Sequence, residues 1–337
     1  MSASINTDTA GPTLFLTDRD VSELHNWKDA IAALRAAYAA PINEQMVPPR
    51  SMARGDGVWL RSLSAISPSG RHMGCKLIAA APRGSCASYL ISLFDERTTE
   101  LTVLIDGNQI TAIRTAATAA VAVDALAPRR PLRVAMIGSG FEARSQLNAL
   151  HAARSIESVA VFSPTPASRQ RFADDFRTLL GLEVMAADTP QQAIEGADVI
   201  VCAARSRDES PVLRGAWLRP GMTVVSIGST LPEQREVDVD VIRKAGLIVA
   251  DMVGEVSHDT GDLLAAAREG LAFSDKLHSL SDLIGGRTPA RSPDEITVYK
   301  SVGSALQDVV IAEMLLQRAR SLGMGTVLPV SIAPVKK

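Results

Sequence analysis

Apolar residues in the first third of the chain follow first a helical and then a strand-like spacing. Over 26–40 they recur every three or four positions and Asn26 can cap the first turn, which predicts a helix. An Ala-rich helix is predicted from about Thr115 to Ala127, where Pro128 ends it. Between these two helices, short alternating runs separated by turn signals predict an antiparallel sheet with strands at 58–66, 74–80, 88–94 and 100–106.

The pattern changes after Pro131, where apolar runs begin to alternate with helical segments. The runs predict buried strands at 133–137, 158–162, 184–186, 199–202, 223–227 and 247–250. Helices are predicted at 143–153 and 168–180, so strands and helices succeed each other at the spacing of a doubly wound parallel sheet. A last helix is predicted at 304–321, with no strand after it, and is expected to pack against the N-terminal part of the chain.

Length, charge and cysteine content narrow the class of protein. The 337 residues predict about two domains, and a net charge of −2 gives no electrostatic reason to expect binding to nucleic acid or an anionic membrane. Apolar residues make up 46% of the chain, but no uncharged run approaches the roughly 18 residues of a membrane helix. Three cysteines without CxxC spacing favour neither a disulfide framework nor a zinc site. The polar start of the chain lacks the pattern of a signal peptide, so a cytoplasmic protein is expected.

A glycine-rich turn directly after the predicted strand 133–137 is the sharpest local signal. It fits G-x-G-x-x-A, in which the first glycine permits a tight turn and the second lets a pyrophosphate approach the backbone. The free N–H groups of the following helix suit phosphate binding, so a nicotinamide dinucleotide is expected here, although a purely structural turn is the alternative. The cofactor-binding residues predicted in this turn are Gly138, Ser139, Gly140, Phe141, Glu142 and Ala143.

The end of the next predicted strand bears on which nicotinamide cofactor binds. NAD sites usually carry Asp or Glu about 20 residues after the glycines, where it binds the ribose hydroxyls. This chain has no carboxylate there and offers three hydroxyls and a cation instead, which favours NADP, with NAD as the alternative. The residues concerned are Ser163, Thr165, Ser168 and Arg169, which could also do no more than cap the helix predicted from Ser168.

Basic residues also occur within apolar stretches of the first domain, notably at Arg50, Arg61, Lys76 and Arg114. A lysine in a buried strand costs free energy unless it is paired or functional. Each cation alone could be a surface side chain whose stem covers apolar groups. Two cations set in apolar runs ahead of a nucleotide-binding fold suggest instead that they bind a substrate carboxylate.

Six ordered motifs together resemble the ornithine cyclodeaminase/mu-crystallin family from about Leu14 to Arg320. The motifs lie at 48–50 (PPR), 74–77 (GCKL), 106–117 (DGNQITAIRTAA), 138–143 (GSGFEA), 228–238 (GSTLPEQREVD) and 297–308 (TVYKSVGSALQD). The resemblance implies an α/β fold, with a Rossmann domain at 129–310 and a smaller α+β substrate-binding and dimerisation domain at 14–128. It further implies that the C-terminal helix, 311–330, completes the smaller domain and that the protein is a homodimer.

The same resemblance implies roles for individual residues. Arg50, Lys76 and Arg114 would surround the carboxylate of a small imino or amino acid, with Lys76 as a possible proton donor. The segment from Gly228 would lie near the nicotinamide. The further cofactor contacts expected from the family are Thr115, Gly228 and Ser229.

Thr230 is a departure that separates branches of the family. Ornithine cyclodeaminases carry Asp at this position, and that Asp handles the amino group during cyclisation. A threonine hydroxyl can only orient a water or the substrate nitrogen, so the sequence favours an NAD(P)H-dependent reductase of the C=N bond in a cyclic imino acid or α-imino acid. An ornithine-type cyclodeaminase and a non-catalytic small-ligand carrier are the alternatives, since fold membership does not determine the substrate.

Overall fold

The computed structural model describes residues 12–81, 84, 86–206 and 208–335. Contacts divide the chain into two compact units. The first unit comprises Met1–His25, Pro41–Thr111 and Ala305–Lys337, and the second comprises Asn26–Ala40 and Ala112–Ser304.

The first unit contains a seven-stranded sheet that is antiparallel except for one parallel pair. Its strands are β1 (Leu14–Leu16), β2 (Ser51–Gly55), β3 (Val58–Ile66), β4 (His72–Ala81), β5 (Cys86–Asp95), β6 (Leu101–Asp106) and β15 (Thr326–Val327). Their order is β15-β1-β6-β5-β4-β3-β2, and β1 runs parallel to β6. The four strands predicted from alternation are confirmed as β3 to β6. The expectation that no strand follows the last helix is wrong, because β15 pairs with β1.

One face of this sheet packs against α11 (Ala305–Leu322), while a short helix, α1 (Asp18–Leu24), follows β1. The alternation along β3 shows how the sequence sets the two faces: Leu63 and Ala65 are buried, whereas Leu60 and Ile66 are exposed. Gly74 of β4 allows the close approach of α11, since a Cβ there would lie 2.9 Å from Val309 Cγ2. The predicted last helix is confirmed within one residue at each end.

The second unit contains an eight-stranded, wholly parallel sheet in the order β13-β12-β14-β11-β10-β7-β8-β9. The strands are β7 (Leu132–Ile137), β8 (Ile156–Phe162), β9 (Val184–Ala186), β10 (Val199–Cys202), β11 (Thr223–Ser226), β12 (Ala245–Ala250), β13 (Leu277–Ser279) and β14 (Ile296–Lys300). The central strands β10, β11 and β14 are buried at every position, and β10 and β11 accordingly consist of apolar and small residues, whereas β14 ends in the buried Lys300. The chain order reverses direction at β7, as in doubly wound sheets.

Helices follow most of the parallel strands along the chain of the second unit, and two more precede the first of these strands. They are α2 (Trp27–Ala39), α4 (Phe141–Ala153), α5 (Pro166–Leu180), α6 (Pro190–Ile194), α7 (Val239–Lys244), α8 (Val253–Asp259), α9 (Gly261–Arg268) and α10 (Leu280–Ile284), together with α3 (Asn108–Leu126), whose first turn belongs to the first unit. Asn26 caps α2 through its side-chain oxygen, as predicted. In the described part of the chain, none of the helices combines the length and apolar composition needed to cross a bilayer.

The start of one helix, one central strand and the domain boundary differ from the expectations. The helix predicted from about Thr115 begins seven residues earlier, at Asn108, so Arg114 lies within it rather than just before it. Strand β14 lies at the centre of the parallel sheet, although the hydrophobic pattern did not predict it. Contacts also group α2 and residues 112–128 with the parallel sheet, whereas the predicted domain boundary follows the proline-rich linker after Ala127.

Candidate active site

Lys76 of the first unit is almost wholly buried, with only 1% of its side chain exposed. Its Nζ donates to Asp308 Oδ1 at 2.9 Å and to Thr111 Oγ1 at 2.6 Å. The ring of Tyr89 lies 5.5 Å from the same Nζ. The side chain of Lys76 is therefore fixed in place by a carboxylate and a hydroxyl.

Lys76, Asp308 and Thr111 come from three different elements, whose backbones pack closely together. Lys76 is on the face of β4 that meets α11, and Asp308 is in the first turn of that helix. Thr111 stands one turn into α3, where its hydroxyl donates to Gly107 O at 2.8 Å. A Cβ at Gly107 would lie 3.1 Å from Tyr89 Cβ, so the glycine lets the start of α3 pack against β5.

Two further cations that the sequence analysis singled out lie in the first unit: Arg61 on β3 and Arg50 just before β2. Arg61 is 8% exposed and stacks over Trp59, with its Cζ 5.1 Å from the ring centroid. It shares the buried face of the sheet with Lys76, whose register partner on β3 is Leu63. Arg50 is half-buried and immediately precedes β2.

Arg114 belongs to the second unit, where the guanidinium packs against the backbone of Gly303. A Cβ at Gly303 would collide with Arg114 Nη1, and φ of +78° at this position also requires glycine. The carboxylate of Asp251 holds the same turn, accepting from Gly303 N at 2.8 Å, Val302 N at 3.0 Å and Ser301 Oγ at 2.6 Å. The turn therefore acts as a rigid support for the Arg114 side chain.

The predicted glycine-rich turn has the geometry that phosphate binding needs. Gly138 adopts φ of +121°, and a Cβ on it would lie 2.7 Å from Ala203 O, so only glycine fits. Gly140 is the N-cap of α4 and makes no side-chain cap, and a Cβ at this position would meet open space. Ala143 is fully buried and lets α4 approach the sheet. The N-terminus of α4 thus adjoins an unobstructed space of the kind that binds a pyrophosphate.

The hydroxyls at the end of β8 adjoin this turn. Ser139 Oγ donates to Ser163 Oγ at 3.0 Å, which links the turn to the next strand. Thr165 is the N-cap of α5 but makes no side-chain cap, so its exposed hydroxyl is not used for capping. Helix α5 begins at Pro166, two residues before the predicted start at Ser168, which is exposed within the first turn.

Arg169 has partners of its own within the second unit. Its Nη2 lies 2.6 Å from Asp188 Oδ1, and its Nη1 donates to the carbonyl of Ser163 at 3.2 Å. The side chain of Arg169 is 12% exposed, whereas that of Asp188 is 83% exposed. The cation is therefore fixed at the end of β8 while its counter-ion stands in solvent.

The segment 228–230, which follows β11, is held by two side chains further along the same loop. Gln234 Oε1 accepts from Thr230 N at 2.9 Å and from Thr230 Oγ1 at 3.2 Å. Gly228 N donates to Glu236 Oε2 at 2.9 Å. Ser229 is fully buried, and its hydroxyl donates to Gln234 O at 2.7 Å, so this side chain orders the loop.

Several residues of the site were not predicted from the sequence. Asp308, Gln234 and Glu236 fall inside the motifs at 297–308 and 228–238, but no spacing rule marks them as partners of Lys76, Thr230 or Gly228. Asp251 lies directly after β12, at the carboxyl end of a parallel strand. That position is the one signal that favours a functional residue, since ligands of doubly wound sheets bind at this edge. Thr115, 8% exposed, lies next to Arg114 on α3.

Comparison with known proteins gives consistent matches along the chain. The model of the ornithine cyclodeaminase/mu-crystallin family matches residues 12–323. Delta(1)-pyrroline-2-carboxylate reductase of Bacillus cereus is 30% identical over 260 residues, which are 75% of this chain and 79% of that protein. Ketimine reductase mu-crystallin of Mus musculus is 32% identical over 225 residues, covering 67% of each chain.

A solved structure shares this architecture over almost its whole length. The Delta(1)-pyrroline-2-carboxylate reductase of Thermococcus litoralis, in complex with NADH and L-proline, superposes with a TM-score of 0.85 at 26% identity, covering 94% of this chain and 100% of that one. The parallel sheet with its glycine-rich turn is thus the Rossmann type of α/β fold, as expected. The fold, the motifs and the family match agree, and the chain belongs to the ornithine cyclodeaminase/mu-crystallin family.

Proposed function

We propose that this protein is an NAD(P)H-dependent reductase of the C=N bond in a cyclic imino acid or α-imino acid, which yields an L-amino acid. The observation that carries the proposal is the buried ammonium of Lys76, held by Asp308 and Thr111 in a chain that also builds a dinucleotide-binding turn. The curated relatives named as pyrroline-2-carboxylate and ketimine reductases support the same reaction class.

Three cations would bind the substrate carboxylate in this proposal. Arg50 and Arg114 offer planar guanidinium groups, which can form paired hydrogen bonds with a carboxylate. The turn at 301–303 would keep Arg114 in place, because Gly303 leaves no freedom for the guanidinium on that side. Lys76 would contribute a third, point-like charge.

Lys76 would also hold the proton that the imine nitrogen gains. Asp308 and Thr111 accept hydrogen bonds from this ammonium, which fixes the position of the Nζ atom. Asp308 would neutralise the buried cation and keep its direction fixed. Reduction of a preformed imine needs only this one proton and one hydride.

The second unit fits the nicotinamide dinucleotide. Open space over Gly140 and the uncapped start of α4 would receive the pyrophosphate, with the backbone of Ser139, Phe141 and Glu142 as donors. The backbone at Gly228 and the hydroxyl of Thr115 would complete the cofactor contacts. When bound, the dihydronicotinamide supplies the hydride for the C=N carbon.

Cofactor preference is proposed to be for NADP, with NAD also accepted. Arg169 lies at the end of β8, where the 2′ position of the adenine ribose is bound in this fold. The hydroxyls of Ser163, Thr165 and Ser168 surround the same strand end, and Thr165 and Ser168 are exposed. The nearest carboxylate, Asp188, is engaged with Arg169.

Thr230 distinguishes the proposed reduction from cyclodeamination. Its hydroxyl is bonded to Gln234, and a neutral hydroxyl cannot exchange protons with amino nitrogens as a carboxylate does near neutral pH. We therefore expect little proline from ornithine. Thr230 would instead help to hold the loop and orient the substrate nitrogen.

A homodimer is proposed from the outward face of the first unit's sheet. On β3, β4 and β5 this face is formed by apolar and small side chains without charge: Val58, Leu60, Ser62, Ser64, Ile66, Met73, Cys75, Leu77, Ala79, Ala81, Cys86, Ser88, Leu90, Ser92 and Phe94. A second copy is the occupant that the family resemblance implies, and the same face on both copies would form a two-fold interface. Cys75 would then be part of this interface, which accounts for its place beside Lys76 but on the opposite face.

The reaction is tested with purified protein and a panel of imines. Δ1-Pyrroline-2-carboxylate and its six-membered homologue should each be reduced, as seen in loss of NADPH or NADH absorbance. Ornithine with catalytic NAD should give no ammonia and no proline. Efficient proline formation would assign the protein to the cyclodeaminases, and binding of cofactor without turnover of any imine would favour a carrier.

Arg114→Leu provides the matching test of the carboxylate site. Removing one partner of a desolvated charge pair costs about 2 kcal/mol or more, so kcat/KM should fall at least ~30-fold while cofactor affinity is kept. The control is Arg35→Leu, which removes an arginine of the same unit paired with Asp124 and 39% exposed. Equal losses in both variants would place Arg114 outside the site.

A further inference from the structure

A buried polar cluster lies at the carboxyl ends of three central strands of the second unit. Cys202 of β10, Ser226 of β11 and Lys300 of β14 are register neighbours, so their side chains point to one face of the sheet. Two residues earlier on β10 and β11, the same face of the sheet is apolar, with Ile200 and Val224 in the core. The polar residues are thus confined to the edge of the sheet from which segment 228–230 emerges.

The cluster is connected by hydrogen bonds between groups that are fully buried. Lys300 Nζ donates to Ser226 Oγ at 2.8 Å, and Ser226 Oγ donates to Glu236 Oε2 at 2.6 Å. Lys300 Nζ also lies 2.9 Å from Asp262 Oδ2. Asp262 Oδ1 accepts from the backbone of Glu236 at 2.9 Å, which closes the connection from the lysine back to the glutamate.

Glu236 connects this hydrogen-bond network to segment 228–230. The oxygen that accepts from Ser226 also accepts from Gly228 N at 2.9 Å. The other oxygen, Oε1, packs so closely on Gly228 that a Cβ at this position would collide with it. Gly228 and Glu236 are therefore matched, since the glycine provides the space and the carboxylate takes the N–H.

Stability alone is a weak reason for such a cluster. Burying charged groups costs free energy, and apolar residues of similar volume usually stabilise a core as well or better. A fixed carboxylate does, however, orient the N–H and carbonyl groups of the loop that it binds. That loop is the one expected beside the nicotinamide.

We propose that Glu236 is a positioning residue for the cofactor, which holds segment 228–230 in its binding conformation through Gly228 N, with Ser226 and Lys300 as its support. This inference rests on the proposed function in one respect, that segment 228–230 contacts the nicotinamide. Glu236 itself touches neither substrate nor cofactor.

The charges around Glu236 give the proposal a pH signature. Burial raises the pKa of Glu236 to about 7, against the lowering effects of Lys300, Ser226 and Gly228 N, while Asp262 raises it further. Two arginines lie near this cluster: Arg235 donates a hydrogen bond to Asp262, and Arg205 packs beside Gly228. Burial raises the pKa of the Cys202 thiol well above its usual range. Glu236 is thus the group of this cluster expected to gain a proton as the pH falls through about 7. A protonated carboxyl is a weaker acceptor for Gly228 N.

The test measures NADH affinity by fluorescence titration between pH 6 and 9, without substrate. Wild-type affinity should fall as the pH drops through about 7. Glu236→Gln should bind NADH about fivefold more weakly than wild type at pH 8, as expected when a charge-assisted hydrogen bond becomes neutral, and should show no such pH dependence. An affinity within twofold of wild type, with the same pH dependence, would overturn the proposal.

Ser226→Ala is the second variant, in case Glu236→Gln does not fold. It keeps the bond from Gly228 N but removes a hydrogen bond that lowers the pKa of Glu236, so the loss of NADH affinity should move to higher pH. An unchanged midpoint would overturn the proposal, because a purely structural role predicts no shift.

Asp238→Asn is the matched control. Asp238 is a half-buried carboxylate of the same loop that accepts from Gly215 N and Val241 N and does not contact Gly228. It should leave NADH affinity and its pH dependence unchanged. Because the readout is cofactor binding alone, failure of every imine to react would refute the proposed reaction without deciding this test.

Discussion

Arg169 is the residue on which the proposed preference for NADP depends. Its guanidinium already has an exposed carboxylate partner, Asp188, and a 2′-phosphate would compete for the same N–H groups. Because the Asp188 carboxylate is 83% exposed, solvent screens this ion pair, so a phosphate can displace it. Arg169 is thus held at the right strand end without being strongly occupied.

Two substitutions test this role of Arg169. Arg169→Ala should weaken NADPH binding at least tenfold, about 1.4 kcal/mol, and change NADH binding little. Asp188→Asn should strengthen NADPH binding relative to NADH by a few-fold. Fluorescence titration with both cofactors measures this, with Asp174→Asn as the control because that residue pairs with Arg177 further along α5. A wild-type preference of tenfold for NADH would refute the NADP proposal.

Individual residues of the site differ in how far the sequence can predict them. The glycine-rich turn is predictable because its chemistry lies in six consecutive residues between a strand and a helix. Lys76 is marked as unusual by its apolar neighbours, but its partner Asp308 is 232 positions away. No local pattern joins two residues that meet only when α11 packs on β4. The role of Glu236 is hidden in the same way, because its burial is set by α9 and β14.

At the scale of elements, hydrophobic pattern predicts strands well where one face is buried. The runs that become β3 to β6 alternate, and they fold as predicted within two residues at either end. The pattern predicts the start of helix α3 too late. It does so because Ile110 and Ile113 are β-branched and because the Asp106-Gly107-Asn108 sequence is typical of a turn, so both disfavour a helix locally. Tertiary packing overrides these local preferences, since Ile110 and Ile113 are buried.

Helix α11 is joined to the turn before β4 by a cluster around Glu313. The carboxylate accepts from Ser67 Oγ at 2.8 Å, Ser69 Oγ at 2.8 Å and His72 Nδ1 at 2.9 Å. Burial by itself would raise the pKa of Glu313, but the hydrogen bonds from His72, Ser69 and Ser67 lower it below the usual value. The folded state therefore favours the ionised form.

Glu313→Gln tests how much this cluster stabilises the fold. A carboxyl with a lowered folded pKa contributes stability above its unfolded pKa, about 4.3, and this contribution is lost as the pH falls through the folded value. The variant should be about 1–3 kcal/mol less stable at pH 7, with the difference shrinking below about pH 4.5. Urea unfolding followed by tryptophan fluorescence measures this difference in the free energy of unfolding.

The control is Glu23→Gln, which removes an exposed pair with Arg19 and should change stability by less than about 0.5 kcal/mol. A constant difference down to pH 3 would contradict the assignment.

At the scale of the whole molecule, composition and surface fit an enzyme for a small anionic substrate. The net charge of −2 creates no broad electrostatic field, so attraction of a carboxylate depends on a few placed cations. Aromatic residues make up only 4% of the chain, and the buried residues are accordingly dominated by Ala, Val, Leu and Ile. Against this background, the outward face of β3, β4 and β5 stands out because it carries no charged side chain, whereas a solvated face of an antiparallel sheet normally carries polar and charged residues.

The dimer proposal is tested on this face. Leu77 and Leu90 are register partners on the outward face of β4 and β5, and each is 37% exposed. A stable interface buries about 800 Å² on each partner, and a charge at its centre would be left without a counter-charge. Wild-type protein at micromolar concentration should therefore show about twice the chain mass of 35.7 kDa in light scattering.

Leu77→Glu should shift this mass to that of a single chain with an unchanged circular dichroism spectrum. Leu179→Glu on α5, where the leucine is 67% exposed, is the control and should leave the mass as in wild type. A monomeric wild type, or a Leu77→Glu variant that keeps the double mass, would show that a second copy does not cover this face.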